Sequence, residues 1–131
     1  MRYVYVLLVI LGLILVYLST TTSEEFDRSK WYSFEEAARI SKNTGKKIFL
    51  FVSSPTCSVC SYFKSKVFSD SSVMEYISAN YVPAYVDIGE RKPPVKVYAF
   101  PTFCVGYPTN LTCFYASTKT ELLNNLKKFA Q

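Results

Sequence analysis

Cys57-Ser58-Val59-Cys60 stands between an apolar, β-prone run, Lys47-Ile48-Phe49-Leu50-Phe51-Val52, and a stretch from Ser61 to Phe68 that can be helical. That position constrains the chain more than any other feature. A Cys-x-x-Cys at a strand-to-helix junction puts the first thiol at a helix N-terminus, where free N–H groups and the dipole favour a thiolate. The second thiol follows one turn later on the same face, within reach of a reversible disulfide. The pattern points to dithiol chemistry, with Cys57 and Cys60 as its carriers.

Bulk properties narrow the alternatives. The 131 residues suit one domain, and a hydrophobic share of 50% with 11 Tyr and 10 Phe supplies a packed core. Histidine is absent, which removes Ser–His and Cys–His catalysis and the usual zinc ligands. The net charge of +5 comes from 15 basic and 10 acidic residues. The basic side chains are scattered rather than gathered with aromatics into a stripe, so a solvated surface is expected and nucleic acid is not.

The N-terminus bears on the compartment. Tyr3 to Leu18 is an apolar run of 16 residues, preceded by Arg2 and followed by Ser and Thr residues and then Glu24-Glu25. Positive charge before and negative after favours the N-terminus inside and the remainder outside the cytoplasm. At 1.5 Å per residue the run spans about 24 Å, short of the ~30 Å hydrocarbon core. It is expected to act as a short membrane anchor or a cleaved signal peptide over residues 1–22, followed by a polar linker (23–30) and a domain (31–131). Either form places the domain where disulfides persist.

Along the domain, Ser33-Phe34-Glu35-Glu36 is a capping box opening a helix that stops at Gly45. A buried strand from Lys47 to Ser53 follows, then the loop Ser54-Pro55-Thr56 and the cysteine-bearing helix. Ser72-x-x-Glu75 is expected to cap another helix, and Tyr81 to Ile88 reads as a second apolar strand. Helical material separates the two strands, so a parallel, right-handed βαβ unit follows. After a charged loop, Gly89 to Pro94, the runs Thr102 to Gly106 and Leu111 to Ala116 form an antiparallel hairpin around Tyr107-Pro108-Thr109-Asn110. Thr118-x-x-Glu121 caps a last helix with Leu122, Leu123, Leu126 and Phe129 on one face.

This order and these residues resemble the thioredoxin-like family. The resemblance rests on Trp31, Ser33 to Ala37, Lys47 to Phe51, Cys57 to Cys60, Val67 to Asp70, Tyr81 to Pro83, Val86-Asp87 and Val97 to Thr102, and covers about residues 31–130. It implies an α/β thioredoxin fold, a central mixed sheet flanked by helices. It also implies that Cys57 is the exposed nucleophile, Cys60 the buried resolving thiol, and Pro101 a cis proline beside them. Phe100, before that proline, would offer its backbone edge to a substrate strand. Two features depart from thioredoxins proper: Thr56 replaces a Trp before the first cysteine, and Phe51 replaces a buried acid six residues before it. The dipeptide Ser58-Val59 also differs from Gly-Pro.

A second pair, Cys104 and Cys113, falls on the two hairpin strands. If Tyr107 to Asn110 form the turn, Gly106 faces Leu111 and Cys104 faces Cys113, with Cβ atoms about 5 Å apart. A structural cross-strand disulfide, two free buried thiols and a second redox pair are all compatible with that placement. A zinc site is not expected, because Cys-x₈-Cys on a hairpin is not a zinc knuckle. Asn110-Leu111-Thr112 matches the N-glycosylation acceptor pattern.

The expected function is an extracytoplasmic thiol:disulfide oxidoreductase that exchanges disulfides with protein substrates through Cys57 and Cys60, without cofactor or metal. The alternative is a Cu(I)-binding metal chaperone or assembly factor using the same two thiolates. Met1 and Met74 are the only methionines, and neither lies near the motif.

Overall fold

The computed structural model describes the backbone of residues 1–20 and 26–131. Four strands, β1 (Lys47–Ser53), β2 (Tyr81–Asp87), β3 (Thr102–Tyr107) and β4 (Asn110–Tyr115), form one sheet in the order β2-β1-β3-β4. β1 and β2 run parallel, from Lys47 opposite Tyr81 to Ser53 opposite Asp87. β1 and β3 are antiparallel, as are β3 and β4. The helices are α1 (Arg2–Thr20), α2 (Phe34–Thr44), α3 (Ser58–Tyr62), α4 (Ser71–Asn80) and α5 (Lys119–Phe129). This is the mixed, helix-flanked sheet of the thioredoxin fold.

Local chemistry fixes most boundaries. Ser33 Oγ accepts the Glu36 N–H at 3.2 Å to start α2, and Gly45 ends it with φ 75°. At α5, Thr118 Oγ1 accepts the Glu121 N–H at 3.2 Å, while Glu121 accepts in return from Ser117 N–H at 3.2 Å. The start of α4 corrects the sequence reading. Its cap is Asp70, whose carboxylate accepts the Ser72 N–H at 2.9 Å, so Ser72 lies inside the helix. A carboxylate one residue ahead of the helix competes better for the first free N–H groups than a serine within it.

The sheet has two apolar faces, and strand alternation assigns side chains to them. Phe49, Phe51, Phe103 and Val105 face α3, α4 and α5, in a cluster with Cys60, Phe63, Phe68, Ile77, Leu122 and Leu126. Ile48, Leu50, Val52, Val82, Ala84 and Cys104 face the other way, toward Ala37 of α2. Each fully buried Phe contributes about 1.5–3 kcal/mol. Trp31 reaches the first cluster because Tyr32 adds a short parallel bridge outside β2, donating to Pro83 O at 2.9 Å and accepting from Tyr85 N–H at 3.0 Å. Pro83 is tolerated in β2 because that strand is at the sheet edge.

The expected linker lies partly outside the described residues, and its last part is not a linker. Phe26 packs 5.5 Å from Trp31 and 5.0 Å from Tyr85, and the Arg28 guanidinium holds Glu90 through bonds of 3.0 and 2.7 Å. Aromatic burial here outweighs the polar composition around it. The apolar N-terminal run is helical as α1, with exposed side chains such as Leu7 and Leu8. Among the described residues no helix is long and apolar enough to cross a membrane, so the anchor expectation gains no support.

Candidate active site

Cys57 and Cys60 are paired as a disulfide, with Cα atoms 5.2 Å apart. Cys57 ends the loop after β1 and serves as the N-cap of α3, and its Sγ accepts the Cys60 N–H at 3.1 Å. The same N–H would hold a Cys57 thiolate after reduction, since a charged sulfur accepts more strongly than a neutral one. Cys57 is partly exposed, whereas Cys60 is fully buried. One sulfur is open to a partner and the other is shielded behind it. That asymmetry suits attack by the first and resolution by the second.

The helix behind the pair is not uniform. After α3 it widens into a π turn over Phe63–Val67, closed by the Phe68 N–H donating to Phe63 O at 2.8 Å. In an α-helix, positions 63 and 68 would point about 140° apart. The wider turn brings Phe63, Val67 and Phe68 all into the core beneath the cysteines. No helix-period reading of the sequence finds this insertion.

The expected substrate edge lies at the same end of the sheet. Val52 pairs with Thr102, so Pro101 falls beside Ser53, where β1 leaves the sheet toward Cys57. The Phe100–Pro101 peptide bond is cis, Pro101 is buried and Phe100 is partly buried, packed against both core clusters. Thr102 Oγ1 donates to Ala99 O at 2.5 Å and pins the loop that precedes the proline. Backbone geometry thus gathers Cys57, Cys60, Phe100 and Pro101 at one end of the sheet.

Below this end the core is aromatic. Phe51 is fully buried, with ring centroids 5.0 Å from Phe68, 5.3 Å from Phe103 and 5.4 Å from Tyr85. The Lys64 ammonium and the Arg28 guanidinium lie 5.2 and 5.0 Å from the Tyr85 ring centre. Sequence reasoning did not single out Ser53. It is fully buried, alternation puts it on the Phe51 face, and its hydroxyl has no hydrogen-bond partner among the described residues. Only burial could have marked it, and burial of one serine is not visible in a sequence.

Cys104 and Cys113 are opposite each other in the hairpin register and form a disulfide, with Cα atoms 4.0 Å apart. Cys104 faces the α2 side of the sheet, away from the cluster that holds Cys60. The sheet therefore lies between the two pairs, and a direct exchange between them within one molecule has no path. Of the three uses left open by the sequence, the cross-strand bridge is the one formed.

Known proteins agree with this geometry. A 38% identical relative is an uncharacterised protein of Archaeoglobus fulgidus, matched over 98% of this chain and 100% of that protein. Among solved structures, a thioredoxin from Thermus thermophilus superposes with a TM-score of 0.62 at 23% identity, covering 76% of this chain and 85% of that one. The DsbH oxidoreductase gives a TM-score of 0.57 at 20% identity, over 75% of this chain and 81% of the other. At those identities the likeness is one of fold. The family described as "Thioredoxin-like domain" matches residues 34–120, from the first turn of α2 into α5 and across both cysteine pairs, and this chain belongs to it.

Proposed function

We propose that this protein is an extracytoplasmic thiol:disulfide oxidoreductase acting on protein substrates. The observation that carries the reading is the unequal exposure of Cys57 and Cys60 at a helix start, with a backbone N–H aimed at the outer sulfur. In the reducing direction, the Cys57 thiolate attacks one sulfur of a substrate disulfide. The substrate S–S bond breaks, the departing sulfur leaves as a thiolate and takes a proton from water, and a mixed disulfide forms. Cys60 then loses its proton and attacks Cys57 Sγ, expelling the second substrate sulfur. Two electrons pass to the substrate, and the Cys57–Cys60 disulfide remains. The reverse sequence oxidises a substrate dithiol.

Location outside the cytoplasm is supported by the Cys104–Cys113 bridge, which persists most readily in an oxidising compartment. Phe100 and Pro101 are assigned to substrate contact, because their segment lies at the end of the sheet where Cys57 emerges. Among the described residues no group of three or more His, Cys, Asp or Glu side chains is arranged to hold a metal, so the Cu(I) alternative gains no further ligand.

The test is substrate trapping. Cys60→Ser is expected to accumulate mixed disulfides through Cys57, resolvable by reductant on non-reducing gels. A Cys60→Ser protein that captures no partner from an exported protein fraction, while the unaltered protein turns over a disulfide substrate, would overturn the two-step mechanism. Equilibration against a glutathione series then sets the direction. A potential near the ~−270 mV of thioredoxin marks a reductant and one near the ~−120 mV of DsbA an oxidant.

A further inference from the structure

The tip of the β3–β4 hairpin has no part in the dithiol chemistry, yet it has a built surface of its own. Only two residues, Pro108 and Thr109, turn the chain, and Tyr107 and Asn110 are register partners across them. Gly106 makes this tip possible. It has φ 145°, and a Cβ there would collide with the carbonyl oxygen of Asn110. Asn110 and Thr112 are both exposed, and the Asn110 amide has no hydrogen-bond partner among the described residues. Period-2 alternation puts Tyr107, Asn110 and Thr112 on one face of the hairpin. Directly opposed residues hold their Cβ atoms about 5 Å apart, so Tyr107, 45% exposed, is the cross-strand neighbour of Asn110.

We infer that Asn110 is an N-glycosylation site whose first sugar stacks on Tyr107. Asn110-Leu111-Thr112 has the acceptor pattern, but such triplets arise by chance, and the triplet alone carries little weight. The weight comes from the tip. An unpaired amide, a hydroxyl two residues on along the same face and an exposed aromatic ring meet where a glycan can leave into solvent. A pyranose presents an apolar C–H face, and an exposed tyrosine offers it a flat apolar partner that water solvates poorly. In the transfer, the Asn110 amide nitrogen displaces a lipid diphosphate from C1 of a lipid-linked oligosaccharide. A C–N bond forms, a C–O bond breaks, and one amide proton leaves with the diphosphate; nothing is oxidised or reduced.

Position also separates this site from the chemistry. β3 begins beside Pro101 and ends at Tyr107, so a glycan on Asn110 stands about 20 Å along the strand from the dithiol end. It would shield the open edge of β4 without covering Cys57, and an unpaired sheet edge is an aggregation hazard that natural proteins cover.

The inference rests on the extracytoplasmic reading, and the experiment keeps the two apart. The full chain is expressed in a glycosylating secretory host with its own N-terminal segment and a C-terminal tail bearing a reporter acceptor triplet. Glycopeptide mass mapping is expected to find glycan at both sites, with the Asn110 glycan lost in Asn110→Gln and in Thr112→Ala. Tyr107→Ala should remove most of a Tm gain of about 4 °C that the glycan gives the unaltered hairpin. A modified reporter beside a bare Asn110 overturns this inference alone. If neither site is modified, the chain has not been exported and both readings fall. A Tm gain from the glycan that is undiminished in Tyr107→Ala would refute the stacking.

Discussion

The two cysteine pairs use the same bond for opposite ends. Cys57 and Cys60 are three residues apart at the start of a helix, with one sulfur partly exposed and held by a backbone N–H. Cys104 and Cys113 are nine residues apart across a hairpin, with Cys104 sealed into the face of the sheet that packs on α2. Reactivity follows from the surroundings of a disulfide. The first pair has an accessible nucleophile and a donor for its thiolate. The second exposes Cys113 but buries Cys104, and among the described residues neither of its sulfurs accepts a hydrogen bond, so a thiolate there gains no stabilisation and the bond acts as a staple. The sheet keeps the two kinds apart, with Cys60 in the cluster on one face and Cys104 in the cluster on the other.

Substitutions can break this contrast. The largest effect is expected at the nucleophile, where Cys57→Ser abolishes turnover of a disulfide substrate while Cys104→Ala with Cys113→Ala retains it. Comparable loss in both would mean that the second pair takes part in the chemistry. Next comes Phe51→Asp, which restores the acid found in thioredoxins proper but drives a carboxylate among Phe68, Phe103 and Tyr85. Denaturant unfolding should register a cost of about 3–5 kcal/mol. An unchanged midpoint would show that the aromatic packing under the dithiol is loose.

Removing the staple with the Cys104→Ala, Cys113→Ala double change opens a loop of about ten residues, worth about 2.7 kcal/mol by loop-closure entropy. The denaturant midpoint of the double variant, compared with the unaltered protein under oxidising conditions, reads that loss. Its absence under reducing conditions would confirm that the bridge is the cause. Smaller again is Ser53→Ala. The change removes a buried hydroxyl with no partner among the described residues and should leave stability unchanged or raise it by up to about 1 kcal/mol. A clear loss of stability, or a slowed resolution step in the trapping assay, would instead give this serine a role at the site.

The core on the redox side also predicts an alkaline response. Tyr81 is buried, donates to Leu126 O at 2.5 Å, and has its pKa raised from 10.0 to about 12, chiefly by burial and secondarily by Tyr76. The folded state keeps this proton longer than the unfolded chain does. The corresponding stability is complete below about pH 10 and disappears as pH rises toward 12. Tyr81→Phe should flatten the fall in unfolding midpoint over that window, and an unchanged slope would assign alkaline unfolding to other groups.

Much of the scaffold was legible because its signals are local. Ser33, Gly45 and Thr118 announce helix ends through the N–H and carbonyl groups they satisfy, and the bounds of β1 follow from one apolar run. The hairpin register follows from turn length alone, which is why the sequence sets Cys104 opposite Cys113. The misreadings have two causes. Asp70 displaced Ser72 as a cap through a local bond from the Ser72 N–H to its carboxylate. Phe26 docked where the composition suggested a linker, and a π turn entered behind Cys60, where packing against residues far away in sequence, such as Tyr85 and Phe103, holds the rings.

The sequence by itself determined the family, the order of elements, and the residues that carry thiol chemistry, since these depend on spacing and on neighbours a few positions away. Tertiary structure alone decided which sulfur is exposed, that the two pairs lie on opposite faces of the sheet, and that Ser53 is buried without a partner among the described residues. Exposure and facing depend on which elements cover which side of the sheet. That outcome is set by the summed burial of the whole aromatic core, and no single motif encodes it.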